Sequence, residues 1–340
     1  MNEISMIERI QTGDELERCP MPIPLGWFCV ALSEDLKPKD VQNIRVFGRE
    51  WVLFRGEDGS VGMTDPYCPH LGAHLGHDGV VVGNNIRCPF HHWEYDTQGW
   101  CKKIPYAKVM PGITRRKPVL QALPIQEKYG AIFAWYHPNG DAPSFPLMDV
   151  PELDAAEKGE GYVAIDRKFW DIPTMIQELG ENGVDYVHLH YLHHHPSMPP
   201  ASKIWADNYK FGVDNMNGFI LSESWGPGVG TVRFTQEGVT TTIFALSTPI
   251  DKEMTRMRWF FTYGDYPEGS KEHAIAERLK QMSVGNDPYG SEEAGFESVD
   301  LVIWKNKKYR PNPLLCDGDG QILQWREWFK QFYAEPVEPA

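Results

Sequence analysis

The sequence predicts an α+β protein with two units, an all-β domain followed by an α+β domain that combines an antiparallel sheet with helices. The chain has 340 residues, 41% hydrophobic and 12% aromatic, which is more apolar material than one small domain needs. The secondary-structure signals also change near residue 138, from short strands to a mixture of helices and strands. We therefore expect an N-terminal extension over residues 1–25, a first unit over 26–138 and a second unit over 139–340.

Short apolar runs separated by Gly, Asp and Pro predict the strands of the first unit. The clearest runs are Trp27–Ala31, Ile44–Phe47, Trp51–Phe54 and Ile132–Trp135. The polar stretch His137–Ser144 predicts a loop, and hence the boundary between the units.

In the second unit, Asp171–Leu192 is predicted to be one helix, because Asp171 is a suitable N-cap residue and Pro173 fits the first turn. The segments that follow indicate antiparallel strands and then two further helices. The predicted strands are Thr231–Phe234, Thr240–Leu246 and Met257–Phe261, and the predicted helices are Glu272–Met282 and Gln321–Tyr333.

The charge and hydropathy of the chain exclude several classes of partner. A formal net charge of −14 disfavours nucleic acid or an anionic membrane surface. No apolar run approaches the length that crosses a bilayer. The first twenty residues mix acids with bases and contain no apolar export segment, so we expect a cytoplasmic location.

The cysteines and histidines indicate metal sites rather than disulfides. Six cysteines are too few to staple a chain of this length, and paired Cys and His in a reducing compartment are typical metal ligands. Of the twelve histidines, five fall within residues 70–92 and five within 188–195. This clustering predicts two separate sites.

The first site has the pattern C-x-H, then seventeen residues, then C-x-x-H, formed by Cys68, His70, Cys88 and His91. A Rieske 2Fe–2S cluster takes two thiolates on one iron and two imidazoles on the other, and each short motif supplies one ligand of each kind. The alternative is a structural zinc site, but such sites more often pair C-x-x-C with H-x-x-x-H. The pattern therefore favours a Rieske cluster. The nearby His74, His77 and His92 do not fit the spacing.

The second site is ambiguous from the residues alone. Iron(II) that activates dioxygen is commonly held by two histidines and one carboxylate, with open positions. His190 and His194 lie four apart, on one helical face, whereas His188 and His193 lie five apart, a rotation of about 140° on an ideal helix. The second pair therefore requires the helix to loosen near Tyr191, as π-type distortions do at functional sites.

The run Asn182-x-x-Asp185-x-x-His188-x-x-x-x-His193 resembles the iron motif of Rieske ring-hydroxylating oxygenases. The resemblance implies that His188 and His193 bind iron. It also implies that Asp185 bridges an iron-binding histidine to a Rieske histidine of a neighbouring subunit. A Rieske domain followed by a helix-grip-like catalytic domain, assembled as a homotrimer, is the architecture that it implies.

The third iron ligand must be a carboxylate from downstream. Glu293, Glu297 and Asp300 share one face of a predicted helix, which more often marks a solvated surface than a site. The run Asp300-Leu-Val-Ile-Trp304, with Asn312-Pro-Leu-Leu-Cys316 behind it, resembles the end of 3-ketosteroid 9α-hydroxylase oxygenases, and cholesterol 7-desaturases share the arrangement. This resemblance implies Asp300 as the ligand, with Glu297 as the alternative.

The resemblance implies a terminal oxygenase that activates dioxygen at mononuclear Fe(II) with electrons relayed by the Rieske cluster. No dinucleotide fingerprint is present, so a separate ferredoxin or flavin/iron–sulfur reductase is expected as the electron donor. A basic cluster after the first site is either a solvated surface or the docking surface for an acidic donor. It consists of Lys102, Lys103, Lys108, Arg115, Arg116 and Lys117.

The expected reaction is monooxygenation of a steroid-like or other polycyclic hydrophobic substrate. Sterol desaturation, O- or N-demethylation and aromatic-ring cis-dihydroxylation are the alternatives on the same scaffold. An electron carrier of Rieske ferredoxin type is disfavoured by chain length, and a zinc-stabilised binding protein is the other class. Met175, Ile176, Gln177 and Phe244, with the strand of Trp259, are the candidate pocket residues, and Gln177 is the one expected to orient a keto or hydroxyl group.

Overall fold

The computed structural model describes residues 13–284 and 297–334. Within these ranges the first unit has ten strands in three antiparallel sheets, ordered β1-β10-β9, β2-β3-β4 and β5-β6-β7-β8. The strands are β1 Gly26–Leu32, β2 Val41–Val46, β3 Arg49–Arg55, β4 Val61–Thr64, β5 Val80–Val82, β6 Asn85–Arg87, β7 Glu94–Tyr95, β8 Cys101–Lys103, β9 Ile125–Lys128 and β10 Ala131–Tyr136. The four predicted strands fall on β1, β2, β3 and β10, apart from Phe47, which has a left-handed φ of 57° in the turn after β2.

The second unit is built on a seven-stranded antiparallel sheet, ordered β11-β17-β16-β15-β14-β13-β12. The α+β class with a large antiparallel sheet is therefore confirmed. The strands are β11 Asp166–Ile172, β12 Lys203–Asp207, β13 Lys210–Asn215, β14 Ile220–Trp225, β15 Val229–Gln236, β16 Val239–Pro249 and β17 Thr255–Tyr263. The helices are α1 Pro151–Lys158, α2 Ile176–Glu181, α3 Val187–Tyr191, α4 Lys271–Val284, α5 Glu297–Asn306 and α6 Ile322–Phe329.

The single helix predicted over Asp171–Leu192 is wrong. Asp171 lies in strand β11, where it pairs with Arg256 of β17 and receives two hydrogen bonds of 2.6 Å from that guanidinium. Helix α2 begins only at Ile176, because Pro173 follows an extended strand rather than opening a helix. The rest of the segment is two short helices separated by the 3₁₀ turn Asn182–Val184.

The two units share one hydrophobic core. Phe28 of β1 lies against Gly228, where an added Cβ would come within 2.4 Å of the Phe28 ring. The carbonyl oxygen of Cys29 accepts hydrogen bonds from Thr248 Oγ1 at 2.7 Å and from Arg258 Nη1 at 2.9 Å. One face of the large sheet is thus covered by the first unit. The other face is left for helices and for the site described next.

The described helices offer no membrane-spanning candidate, since each one is too short or too polar to cross a bilayer. The cytoplasmic location and the unit boundary at residue 138 stay predictions.

Candidate active site

The four predicted cluster ligands lie on two loops at the tip of the first unit. Cys68 and His70 follow β4, and Cys88 and His91 lie between β6 and β7. Each loop is closed by its own backbone, since Gly72 N donates to Cys68 O at 2.9 Å and His92 N donates to Cys88 O at 3.1 Å. The two thiols are buried, whereas the two imidazoles are half-buried near the surface, with their ring centroids 4.7 Å apart.

These residues fit a two-iron cluster better than a single zinc ion. Tetrahedral zinc with bonds of 2.0–2.3 Å brings all its ligand atoms within about 4 Å of one another. In the described part of the chain, no three of Cys68, His70, Cys88 and His91 have donor atoms within 4.8 Å of one another. The Nδ1 atom of His91 is also buried, with no hydrogen-bond partner among the described residues, as expected of an atom meant for a metal.

Tyr95 supports the cysteine side of this site. Its hydroxyl lies 3.1 Å from Cys68 Sγ. Burial and the adjacent Cys68 raise the pKa of Tyr95, so the hydroxyl keeps its proton and can donate it to a Cys68 thiolate. Burial also raises the pKa of the Cys68 thiol, so a thiolate here needs a metal to hold its charge. On the other side, Trp93 stacks on His70 with ring centroids 4.5 Å apart.

The second site forms where the chain leaves helix α3. Leu192 N donates to His188 O at 2.7 Å, and His193 N donates to the same oxygen, five residues back, at 3.3 Å. This π-type bond is the loosening that the five-residue spacing requires, and it turns His193 back toward His188. Their ring centroids are 5.1 Å apart.

Asp300 of helix α5 completes a group with these two histidines. Donor atoms of His188, His193 and Asp300 all lie within 4.8 Å of one another, and His193 Nε2 is 3.1 Å from Asp300 Oδ2. The Asp300 carboxylate is almost fully buried, at 3% exposure. Two imidazoles and one carboxylate on one side of a cavity are the ligand set of non-haem iron(II) oxygenases.

The alternative histidines and carboxylates do not join this group. His190 Nδ1 lies 2.6 Å from the carbonyl oxygen of His195, and His194 is exposed, with a left-handed φ of 56°. Glu297 opens helix α5, but its side chain lies outside the described part of the structure, as does the whole of Glu293. The assignment of Asp300 rather than Glu297 stays a prediction, which the geometry of Asp300 supports.

Two neighbours orient His188. Its Nδ1 is hydrogen-bonded to the carbonyl oxygen of Asp185, which leaves Nε2 directed to the site. Asn182 Nδ2 lies 3.3 Å from that Nε2 and 3.2 Å from Asp300 Oδ1. Burial lowers the pKa of His188, although Asp300 opposes the shift, so the ring is neutral and able to act as a ligand near pH 7. Asn182 was part of the sequence motif, but nothing in the spacing indicated its contact with both ligands.

The Asp185 carboxylate caps the start of α3. Its Oδ1 accepts from Val187 N at 3.2 Å and from His188 N at 3.4 Å, and the residue is half-buried. The bridging role implied for Asp185 stays a prediction.

A cavity opens beside the iron triad, between the large sheet and helices α2, α3 and α5. It encloses about 1140 Å³, including the part of its mouth that is open to solvent, and both His188 and Asp300 line it. Most of its lining is apolar, contributed by Ile176, Leu179, Leu189, Met257, Trp259 and Trp304. Deep apolar clefts with a few polar groups are typical of small-molecule sites.

Of the predicted pocket residues, Ile176 lines this cavity but Met175 and Gln177 do not. Met175 packs in a small cluster with Cys19 and Tyr309. Gln177 is fully enclosed, and its Oε1 accepts a 2.8 Å hydrogen bond from the Tyr333 hydroxyl, so it has no free group for a substrate. Neighbouring residues at the start of a short helix face different directions, so only Ile176 of the three lines this cavity, and its role in a substrate pocket stays a prediction.

Phe244 does not line this cavity either, whereas the strand of Trp259 does. Side chains alternate along a strand, so Ile243 and Ala245 of β16 face the cavity and Phe244 faces the first unit. There the Phe244 ring packs edge-on against Tyr129 at 5.5 Å.

The basic cluster is exposed beside the first site. Lys102 and Lys103 of β8 pair with Asp96 at 3.6 Å and with Glu94 at 3.5 Å. Its other four members lie between β8 and β9, and all four are exposed. Part of this positive charge is thus already neutralised, and donor docking stays a prediction.

Comparison with known proteins agrees with the division into two units. The profile described as "Rieske [2Fe-2S] domain" matches residues 26–120, and the profile "3-Ketosteroid 9alpha-hydroxylase C-terminal domain" matches residues 134–333. A cholesterol 7-desaturase of Caenorhabditis elegans is 30% identical over 383 aligned positions, which cover 97% of this chain and 81% of that protein. A 3-ketosteroid-9-alpha-monooxygenase oxygenase component of Rhodococcus rhodochrous is 28% identical over 345 positions, covering 93% of this chain and 85% of the relative.

Solved structures show the same fold. NdmA of Pseudomonas putida CBB5 superposes with a TM-score of 0.65 at 17% identity, covering 89% of this chain and 88% of that one. Dicamba monooxygenase bound to dicamba superposes with a TM-score of 0.63 at 16% identity, covering 91% and 96% of the two chains. Because the two profiles match the two units in order and the closely matched relatives span nearly the whole chain, this protein belongs to the Rieske oxygenases related to 3-ketosteroid 9α-hydroxylases and cholesterol 7-desaturases, and it is a terminal oxygenase with a Rieske 2Fe–2S cluster and a mononuclear iron.

Proposed function

We propose that this oxygenase hydroxylates a steroid-like or other polycyclic hydrophobic substrate. The observation that supports this proposal is the apolar cavity that leads to His188 and Asp300. Hydroxylation inserts one oxygen atom of dioxygen into a C–H bond and releases the other as water, which consumes two electrons and two protons. Iron(II) held by His188, His193 and Asp300 supplies the activation of dioxygen for this reaction.

The protein's own residues position the reaction and exclude water from it. Asp185 O holds the His188 ring by its Nδ1, so that Nε2 points into the site, and Asn182 fixes the Asp300 carboxylate from the other side. Trp259 and Trp304 wall the cavity beside the triad. Such walls keep bulk water from the reacting centre until a substrate fills the space.

Electrons come from a separate donor protein, since the 3-ketosteroid-9-alpha-monooxygenase relatives are described as oxygenase components. The two Rieske histidines are half-buried at the molecular surface, and the adjacent Leu71 and Phe90 are exposed at 65% and 60%. An apolar rim around a half-exposed cluster suits a protein contact. A ferredoxin or a flavin/iron–sulfur reductase is the donor that we propose.

Transfer from the cluster to the iron occurs, in this proposal, between subunits of a homotrimer, with Asp185 at the contact. Light scattering on the purified protein is expected to give the mass of three chains. An Asp185→Asn variant is expected to keep its cluster and its iron but to lose most turnover. A monomer with full turnover, or an Asp185→Asn variant with the wild-type rate, would contradict the intersubunit route.

Desaturation is the second candidate, because a cholesterol 7-desaturase is among the relatives that match nearly the whole chain. It uses the same electrons and dioxygen but removes two hydrogens and inserts no oxygen. Product mass separates the outcomes, since hydroxylation adds 16 mass units (one oxygen atom) and desaturation removes two hydrogens.

The test supplies reduced donor and dioxygen with a panel of steroids, sterols, polycyclic aromatics and methyl ethers. We expect product from the fused-ring members and little from the single-ring methyl ethers. Product from methyl ethers alone would overturn the polycyclic assignment in favour of demethylation. Oxygen consumption without product reports only uncoupling and is measured in parallel.

A further inference from the structure

The floor of the cavity is one row of residues across four strands of the large sheet. Ser224 pairs with Gly230, Gly230 with Ala245, and Ala245 with Trp259. All four line the cavity. From β14 to β17 the row therefore presents the hydroxyl of Ser224, the bare backbone of Gly230, the methyl group of Ala245 and the indole of Trp259. Its width is about 14 Å at roughly 4.8 Å per strand. This floor has small residues at its centre, a polar end and an aromatic end.

The Ser224 end of the row lies some distance from the iron triad along strand β14. Asn215 pairs with Ile220, and its side-chain amide donates to Gly183 O at 3.0 Å, beside the Asn182 that contacts both His188 and Asp300. Ser224 is four residues beyond Ile220 on β14, a distance of about 14 Å at 3.4 Å per residue. A single aromatic ring does not fill such a length.

The Ser224 hydroxyl is available to a ligand. The residue is half-exposed, and among the described residues its Oγ makes no hydrogen bond. An added Cβ on Gly230 would lie 3.4 Å from this Oγ, so the missing side chain at Gly230 leaves the hydroxyl uncovered on the cavity side. Ser222 lies two residues closer to the triad on β14 and also lines the cavity. Trp259 and Trp304 form the apolar side of the cavity.

We infer that the cavity binds a flat fused-ring substrate against the Gly230–Ala245 floor, and that the Ser224 hydroxyl binds an oxygen substituent at the end remote from the iron. This inference rests on the proposed function, because it names the shape and polarity of the substrate for the same site. The hydrogen bond between the Ser224 hydroxyl and this oxygen then determines which carbon of the substrate lies next to the triad.

The first test compares Ser224→Ala with the wild-type enzyme on a saturated four-ring ketone and on the hydrocarbon with the same skeleton. The loss of one hydrogen bond is expected to raise the KM for the ketone about 3- to 10-fold. The KM for the hydrocarbon is expected to stay within about twofold, and the distribution of hydroxylated positions on the ketone is expected to broaden. Ser144→Ala, at an exposed serine outside the cavity, is the matched control and should change neither value.

The second test fills the floor with Ala245→Leu. This substitution should abolish turnover of both four-ring compounds, whereas a single-ring substrate retains any turnover that the wild-type enzyme gives it. Ala206→Leu, at an exposed position of strand β12, controls for the added volume. Retained cluster absorbance and iron content show that each variant is folded and loaded.

The outcomes separate the two proposals. If the wild-type enzyme hydroxylates the ketone and Ser224→Ala changes neither its KM nor its product positions, the role of Ser224 is wrong and the proposed function stands. If Ala245→Leu still accepts the four-ring compounds, the floor is wrong. If no fused-ring compound is oxidised while a single-ring substrate is, the proposed function fails and the inference fails with it.

Discussion

The buried ion pair behind the iron site is expected to control both stability and metal binding. Arg326 of α6 donates to Glu181 of α2 through Nε at 2.6 Å and through Nη2 at 2.9 Å, and both side chains are about 10% exposed or less. Burial opposes the charge on Arg326, but the Glu181 carboxylate outweighs it and raises the pKa of the guanidinium. Glu181 directly precedes Asn182, which contacts two iron ligands.

An Arg326→Met variant keeps much of the side-chain volume and leaves the Glu181 carboxylate buried without its partner. Breaking a buried pair in this way costs about 3–5 kcal/mol, far more than an exposed pair contributes. We therefore expect a clear fall in the urea midpoint of the transition that unfolds the second unit. We also expect a lower iron-to-sulfide ratio, because α2 carries the start of the metal motif.

The matched control is Arg256→Met. Arg256 also holds a carboxylate, Asp171, with two bonds of 2.6 Å, but these side chains are 36% and 41% exposed, so its loss should cost less than about 1 kcal/mol. A double variant, Arg326→Met with Glu181→Gln, removes the buried charge and should recover part of the loss. The reasoning is refuted if Arg326→Met shifts the midpoint no more than Arg256→Met does.

Three further outcomes are expected. Asp300→Ala should abolish turnover and the mononuclear iron while acid-labile sulfide stays at the wild-type level, and an unchanged iron content would point to Glu297 instead. Tyr95→Phe should lower the midpoint potential of the cluster by roughly 20–65 mV in spectroelectrochemical titration, because the hydroxyl that stabilises the added electron through Cys68 Sγ is lost. The rate of cluster reduction by the donor should fall as ionic strength rises, if the basic cluster forms the docking surface, and a salt-independent rate would exclude that role.

Local residue spacing was a better guide to the candidate cluster loops than to the helix boundaries. The four predicted cluster ligands lie on two short loops, and each loop is closed by hydrogen bonds within itself, so no distant contact is needed to place them. The helix predicted over Asp171–Leu192 failed at its start because Asp171 and Ile172 are the end of strand β11, whose charged residues mask its strand pattern. Only the pairing with β17, more than eighty residues later, makes that segment a strand.

The pocket was harder to predict for a different reason. In an antiparallel sheet with one solvent-exposed face, apolar and polar residues alternate along each strand, so the sequence shows which residues face the core. Strand β16 is covered by the first unit on one side and borders the cavity on the other, so its residues are mostly buried on both faces and the sequence shows no alternation. Phe244 and Ala245 were therefore equivalent as candidates, and tertiary packing alone assigns one to the core and the other to the cavity.

The iron ligands depend on contacts far away in sequence. Helix α2 has six residues, too few to be stable by itself in water. It is held by α6, where Arg326 pairs with Glu181 and the Trp325 ring lies on Gly180 so closely that an added Cβ would come within 2.2 Å of it. A glycine at position 180 is thus required by close approach rather than by backbone conformation. The segment that supplies α6 therefore supports the predicted iron site from a distance, and substitutions at Gly180 should lower iron content as well as stability.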